Sequence, residues 1–360
     1  MVKNLKEYTL EELEEIAKAL GEPSYRGKQM MGWLYKGIKS FEEMKNIPKT
    51  FTDKLMAEGY SIGSPAILRL QTSKLDDTKK VLFGLWDHQG VETVLMKYRY
   101  GNTVCISSQV GCNMGCEFCA SAIGGKKRNL TPGEMVDQVV GMANLADGPI
   151  THIVVMGTGE PFDNYENLSK FLRIIHEPAG MGLGYRHITV STVGLVDKIE
   201  MFGDDFPQVN LAISLHAPND RIREKIMPIN KKYGVNHLIQ VGKDHIKKTS
   251  RRLTFEYALI EGLNDTDKEA RELGSLLRGM LCHVNLIALN EVEESKYKGT
   301  PREGVESFRK ILENAGIQVT IRRELGQDIN AACGQLRLGE EGGCVYNCDN
   351  SRLGKSLLNE

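Results

Sequence analysis

The stretch Thr103-Val-Cys105-Ile-Ser-Ser-Gln-Val-Gly111-Cys112-Asn-Met-Gly115-Cys116-Glu-Phe-Cys119 begins as a short apolar strand and runs into a loop that carries three cysteines within eight residues. Downstream of it, short apolar segments alternate with helical ones. The strand candidates are 103–107, 151–156, 187–191, 209–215, 253–259, 283–288 and 317–322. Such alternation calls for a parallel sheet covered by helices. Between the first two candidates, Thr131-Pro-Gly-Glu134 supplies an N-cap, a proline at the first helical position and a capping glutamate for a helix carrying Val136, Val139 and Val140. No glycine-rich nucleotide fingerprint follows the first strand. The pattern therefore predicts an α/β fold of partial (βα)6 TIM-like barrel form rather than a doubly wound sheet, with functional side chains just after the strand ends.

Upstream, Thr9-Leu-Glu-Glu12 reads as a capping box ahead of Leu10, Leu13, Ile16 and Leu20, and Pro23 ends that helix. A second helix interleaves Tyr25, Arg26, Lys28, Gln29, Trp33, Tyr35 and Lys36. That pattern suits contact with RNA, and equally an amphipathic helix packing Met30, Trp33 and Leu34 on its own core. Residues 80–86 and 91–97 read as two strands joined by Asp87-His88-Gln89-Gly90. The expected division is a helical accessory domain over 1–62, a β-hairpin extension over 63–100, the catalytic barrel over 101–337 and a flexible tail over 338–360.

Of the 360 residues, 41% are hydrophobic and 26% charged, which excludes a disordered or fibrous chain. The net charge is −1, so any hold on nucleic acid must come from local clusters such as Lys126-Lys-Arg128, Lys247-Lys248 with Arg251-Arg252, and Arg322-Arg323. No apolar run approaches the roughly 18 residues a membrane helix needs, and Lys3, Lys6 and several glutamates stand near the start. A cytoplasmic protein with no membrane association is expected.

Eight cysteines are too few for a disulfide scaffold in a chain this long. A structural zinc site would want a fourth ligand close by, from Cys105 or a distant cysteine. Three thiolates, Cys112, Cys116 and Cys119, can instead hold three corners of a [4Fe-4S] cube and leave one iron open to a substrate.

This C-x3-C-x2-C loop after the first strand of an alternating barrel resembles the radical S-adenosylmethionine superfamily. Together with Cys105-Ile-Ser-Ser-Gln-Val-Gly-Cys112, Gly157-Thr-Gly-Glu160-Pro161, Ser214-Leu-His-Ala217 and Asp328-Ile-Asn-Ala-Ala-Cys333-Gly-Gln-Leu336, it resembles the adenine-C2 methyltransferases of 23S rRNA and tRNA. The likeness runs from the N-terminal helices to about Arg337. Thr158 stands where the family pattern has methionine, and Cys344 and Cys348 lie outside the pattern.

The resemblance implies a [4Fe-4S] cluster on Cys112, Cys116 and Cys119, and S-adenosylmethionine held by Gly159, Glu160, Ser191, Ser214, Leu215, His216 and Asn290. It also implies 23S rRNA and tRNA as substrates, a reducing donor such as flavodoxin or ferredoxin, and a monomer. C2 of adenine is an electron-poor carbon and a poor nucleophile, so simple displacement on a sulfonium fails there and the cofactors must supply radical chemistry. In the implied route Cys333 is methylated first, its S-methyl carbon becomes a radical and adds to C2, Glu92 accepts the C2 proton, and Cys105 releases the product through a transient disulfide with Cys333. Read without the family, Cys105 is a strand cysteine, Cys333 a loop cysteine and Glu92 an exposed strand residue. Two rivals remain: the related C8-adenine 23S rRNA methyltransferases that confer antibiotic resistance, from which Ile321-Arg-Arg-Glu324 points away, and a non-catalytic zinc-stabilised RNA-binding protein.

Overall fold

The computed structural model describes residues 3–290, 295–331 and 334–336. Among them, ten strands form one sheet: β1 (Ala66–Thr72), β2 (Lys79–Gly84), β3 (Gly90–Tyr98), β4 (Gly101–Ile106), β5 (Ile150–Val155), β6 (Ile188–Thr192), β7 (Asn210–Ser214), β8 (Leu253–Leu259), β9 (Cys282–Ala288) and β10 (Gln318–Ile321). Neighbours in space are neighbours in sequence throughout, from β1 at one edge to β10 at the other. β1 to β4 pair antiparallel and β4 to β10 parallel. The parallel part is an open barrel, since its last strand, β10, pairs only with β9 and does not close onto β4.

Each parallel strand returns through helix: α4 (Pro132–Ala143), α5 (Tyr165–His176), α6 (Val196–Asp205), the pair α7 (Asp220–Ile226) and α8 (Val235–Thr249), α9 (Asp267–Leu276) and α10 (Arg302–Asn314). The helices are amphipathic and bury apolar stripes, such as Leu168, Phe171, Leu172 and Ile175 of α5, against the sheet. All seven strands expected from residue 103 onward are present. The Thr131 box is closed in both directions, with Glu134 N donating to Thr131 Oγ1 at 3.2 Å and Thr131 N to Glu134 Oε2 at 2.9 Å.

The hairpin falls at β2 and β3, with its turn over Leu85–Gln89 and Gly90 already in the strand. β1 is a finding beyond the sequence pattern. Most of it is exposed, Ile67, Leu68 and Leu70 included, so it carries no period-two alternation to betray it. The sheet crosses residue 100 without a break, because β3 pairs with β4 from Val94↔Cys105 to Tyr98↔Gly101.

The first helices, α1 (Leu10–Ala19), α2 (Tyr25–Leu34) and α3 (Lys49–Ala57), build their own core around Leu13, Met30, Leu34 and Phe51. Met30, Met31 and Leu34 face inward, and Trp33 Nε1 donates to Asn46 Oδ1, as the packing reading of α2 expects. This unit is joined to α4 by a buried ion pair, Lys6 Nζ to Asp137 Oδ1 at 2.6 Å. Among the described residues no helix is long and apolar enough to cross a membrane.

Candidate active site

Parallel register brings the carboxyl ends of β4 to β10 to one rim, and the cysteine loop leaves from the first of them. A short pairing of Gln109–Val110 with Arg128–Asn129 frames that loop. Its base is tight: a Cβ on Gly111, at φ +75°, would lie 2.0 Å from the Gly125 carbonyl oxygen, so only glycine fits. Cys112, Cys116 and Cys119 are half-buried. Burial pushes the Cys112 and Cys116 thiols up, and the neighbouring cysteine sulfurs push the same way, so a charge on one opposes ionisation of the next. A cationic centre would relieve both the burial and the mutual repulsion of the three as thiolates, so their donor chemistry suits a cluster held by three sulfurs, although among the described residues no three such side chains are already gathered around one point.

Phe118 and Cys119 of this loop form one wall of a cleft with about 770 Å³ of empty space, partly open to solvent. Gly159, Glu160, Ser191, Ser214, His216 and Asn290 line it, contributed by the ends of four strands, β5, β6, β7 and β9, or the loops just beyond them. A Cβ at Gly159, φ +106°, would lie 2.5 Å from the Gln109 side chain, which keeps this backbone against the cysteine loop. Leu215 differs from the expectation. Its side chain is in the core, and its carbonyl accepts from Arg223 Nε at 3.0 Å.

Glu160 is buried and held from three sides. Oε1 accepts from Thr192 Oγ1 at 2.7 Å and Phe162 N at 3.1 Å, and Oε2 accepts from Val193 N at 2.8 Å. Burial nevertheless raises its carboxyl to about 7, well above the ordinary 4.5. A cation arriving in the cleft would reverse that penalty. His216, at φ +55°, accepts on Nδ1 from Ala258 N at 2.9 Å. Burial, with Arg223 nearby, lowers it to about 3, so the ring is neutral, its proton sits on Nε2, and it offers the cleft a donor.

Three contributors were not legible in the sequence. Arg223 is fully buried among the loops after β6 and β7, donating to Val193 O at 2.7 Å, Ser214 O at 3.1 Å and Leu215 O at 3.0 Å. It thereby ties together the loops bearing Val193 and His216. We expect Arg223→Met to cost about 3 kcal/mol or more in urea denaturation, because those carbonyls lose their donor, and Arg223→Lys to recover only part of it. Glu256, buried on β8, accepts from Asn285 Nδ2 at 2.9 Å and lies 4.0 Å from Arg322. Lys80 of β2 is the third. Its Nζ lies 3.0 Å from Glu92 Oε1, with both side chains largely buried, so Glu92 is an ion-paired group within the sheet and not an exposed strand residue.

Paired residues on adjacent strands share a face, so Val94, Cys105 and, two residues before Val94, Glu92 all point into the open barrel. Cys105 is buried in an apolar cluster with Val94, Met96, Leu325, Ile329, Ala331 and Leu336. Cys333 itself lies outside the described residues, as do Cys344 and Cys348. The chain on either side of Cys333 nevertheless walls the Cys105 cavity, and beyond it Gly334 O accepts from Ala120 N and Leu336 O from Ser121 Oγ, both at 2.8 Å. The segment after Cys333 is thus hydrogen-bonded to the end of the cysteine loop.

The basic cluster beside that loop is already engaged. Lys126 Nζ is 2.5 Å from Asp163 Oδ2, and Arg128 is held by both Asp87, at 2.6 Å, and Glu134, at 2.7 Å. Lys126 and Arg128 are thus ion-paired within the chain, while Lys127 between them is exposed.

Residues 106–274 match the radical SAM superfamily model, and residues 3–60 match the model of the ribosomal RNA large subunit methyltransferase N-terminal domain. "Probable dual-specificity RNA methyltransferase RlmN" of Clostridium botulinum (strain Alaska E43 / Type E3) is 49% identical over 93% of this chain and 96% of its own length. The protein of that name in Thermoanaerobacter pseudethanolicus is 53% identical over 93% of this chain and 97% of its own. A radical SAM methyltransferase from Sphaerobacter thermophilus superposes with a TM-score of 0.89 at 45% identity, covering 93% of this chain and 99% of that one. The non-catalytic zinc reading is overturned by these matches. A rim of strand ends around a three-thiol loop, an accessory helical unit and near-full-length likeness converge on one conclusion: the chain belongs to the RlmN family of radical S-adenosylmethionine RNA methyltransferases.

Proposed function

We propose that the chain methylates C2 of an adenine in 23S rRNA, and in tRNA, through S-methylated Cys333 and a transient Cys105–Cys333 disulfide. The observation that carries this reading is the Cys105 cavity, walled on one side by the strand bearing Glu92 and on the other by the chain flanking Cys333. The buried thiol of Cys105 stands where a resolving thiol would be needed.

Cys112, Cys116 and Cys119 would hold a [4Fe-4S] cluster, and Gly159, Glu160, Ser191, Ser214, His216 and Asn290 would line the site of S-adenosylmethionine. Together these groups supply a methyl donor and one-electron activation of an inert C–H bond. Glu160 would receive the cofactor's ammonium on the one lone pair of Oε2 that Val193 N leaves open, and neutral His216 would donate from Nε2. The thiol of Cys333 carries the new carbon, and the Glu92 carboxylate takes the proton from C2. Once the adduct has given up the C2 proton to Glu92 and one electron to the redox chemistry a cluster would supply, attack of the Cys105 thiolate on the Cys333 sulfur forms the disulfide and breaks the sulfur–carbon bond, whose electron pair stays on the methylene carbon and takes up a proton to give the methyl group. A cytoplasmic monomer served by a low-potential donor such as flavodoxin or ferredoxin completes the reading.

Mass spectrometry of nucleosides from rRNA and tRNA of a deletion strain, and from the same RNAs treated with purified enzyme, tests it. Loss of 2-methyladenosine in the strain and its restoration in vitro are expected. Restoration of 8-methyladenosine instead would move the chain to the C8 reading.

A further inference from the structure

Lys80 stands at a junction that the reaction above does not use. Lys80 is 7% exposed as a residue, and its ammonium touches two acceptors from different parts of the chain: Glu92 Oε1 at 3.0 Å and the Asn330 carbonyl oxygen at 3.0 Å. Asn330 takes a left-handed conformation, φ +50°, in the loop that leads in sequence to Cys333. The same loop is pinned to the antiparallel extension at two more points, by Gly326 N to Asp76 Oδ2 and by Lys74 N to Asp328 Oδ2, each at 2.9 Å. Two of these ties join backbone to carboxylate and serve only to dock the loop. The third passes through a cation that also holds the candidate proton acceptor.

We infer that Lys80 is a positioning residue for product release, one ammonium fixing the Glu92 carboxylate and the Asn330 carbonyl in a single arrangement. This rests on the proposed role of Glu92 and adds that the acceptor's placement relative to the 326–331 loop is set by a third residue. A lysine suits the task because its point charge can serve a carboxylate and a carbonyl at once at the end of a long apolar stem. Mislocation of an acceptor by about an ångström slows proton transfer about a hundredfold. Lys80 pairs across the sheet with Val94, which on its other side pairs with Cys105, so its effect falls on the region where adenine C2 would be attacked.

The test follows the covalent RNA–protein species in turnover with the fully loaded enzyme, read by denaturing gel, for the wild type, Glu92→Gln, Lys80→Met, Lys80→Arg and the double variant K80M/E92Q. E92Q is expected to accumulate the species. K80M is expected to slow its clearance about tenfold or more, and K80R, which keeps the cation, to restore most of the rate. In the E92Q background K80M should add nothing, because Lys80 acts through Glu92. If E92Q accumulates no adduct, the role of Glu92 fails and this inference fails with it. If E92Q accumulates adduct while K80M clears it at the wild-type rate, or K80R is no better than K80M, only the inference is overturned. Should K80M fail to fold, the comparison of E92Q with the charge-free pair K80M/E92Q decides: equal clearance supports the positioning role, and a further tenfold loss refutes it.

Discussion

Replacement of Cys105 by alanine is expected to turn the catalyst into a single-use reagent, with RNA remaining covalently attached to the protein. In the proposed route the steps up to carbon–carbon bond formation call on the chemistry of Cys333, the cleft and the three-thiol loop, and none of them consumes a second thiol. Release is different, because the sulfur–carbon bond breaks only if a second sulfur attacks the first, and Cys105 is the thiol buried against the chain flanking Cys333. Steady-state turnover should fall about a thousandfold while the first adduct still forms. The lost sulfur costs about 1 kcal/mol of packing, which leaves the sheet intact. Cys333→Ala should form no adduct at all. The measurement is a denaturing gel of enzyme incubated with labelled RNA, and a C105A protein that turns over normally would refute the resolving role.

The second large effect concerns Glu160. Glu160→Gln should weaken S-adenosylmethionine binding about ten- to hundredfold, the range for a charged hydrogen bond lost from a buried site. The same substitution should leave a signature in the empty protein. With its carboxyl raised from 4.5 to about 7 by burial, Glu160 favours the protonated folded state, so its contribution is full below pH 4.5 and is lost as pH rises through 7. The loss amounts to at most about 3 kcal/mol. Urea denaturation between pH 4.5 and 7.5 should therefore show wild-type stability declining with pH beyond what E160Q shows, and saturating cofactor should flatten the wild-type slope. Identical slopes in the two proteins would contradict the electrostatic account of this carboxylate.

What could be read in advance was whatever depends on local order along the chain. The parallel strands carry continuous apolar runs, Thr131 and Glu134 sit three residues apart, and the thiols lie within one loop, so each announces itself. Residues whose role depends on a distant partner do not. Lys80 heads an ordinary strand, and nothing local says that its ammonium will meet Glu92 twelve residues on and Asn330 at 250 residues' separation. Arg223 looks like one charge on a short helix until the carbonyls of Val193, Ser214 and Leu215 close around it. Lys126 and Arg128 show the same limit, since a run of positive charge in sequence says nothing of Asp163, Asp87 and Glu134 brought up by the fold. Leu215, between two cleft residues, shows the same limit: strand alternation turned it inward.

The buried pair between Lys6 and Asp137 bears on how the accessory helices and the catalytic sheet share their fate. Asp137 also accepts from Asn4 Nδ2 at 2.8 Å, and Lys6 also donates to Gly63 O at 2.9 Å, so the start of the chain closes over an acid that burial alone would keep from ionising. Cutting the chain between these parts would strand an unneutralised carboxyl in the core of α4's outer face. The helical unit is thus no detachable tether but a lid on a charge. Evolution could exchange its exposed surface freely while its inner face stayed bound to whatever residue occupied that one position of the barrel.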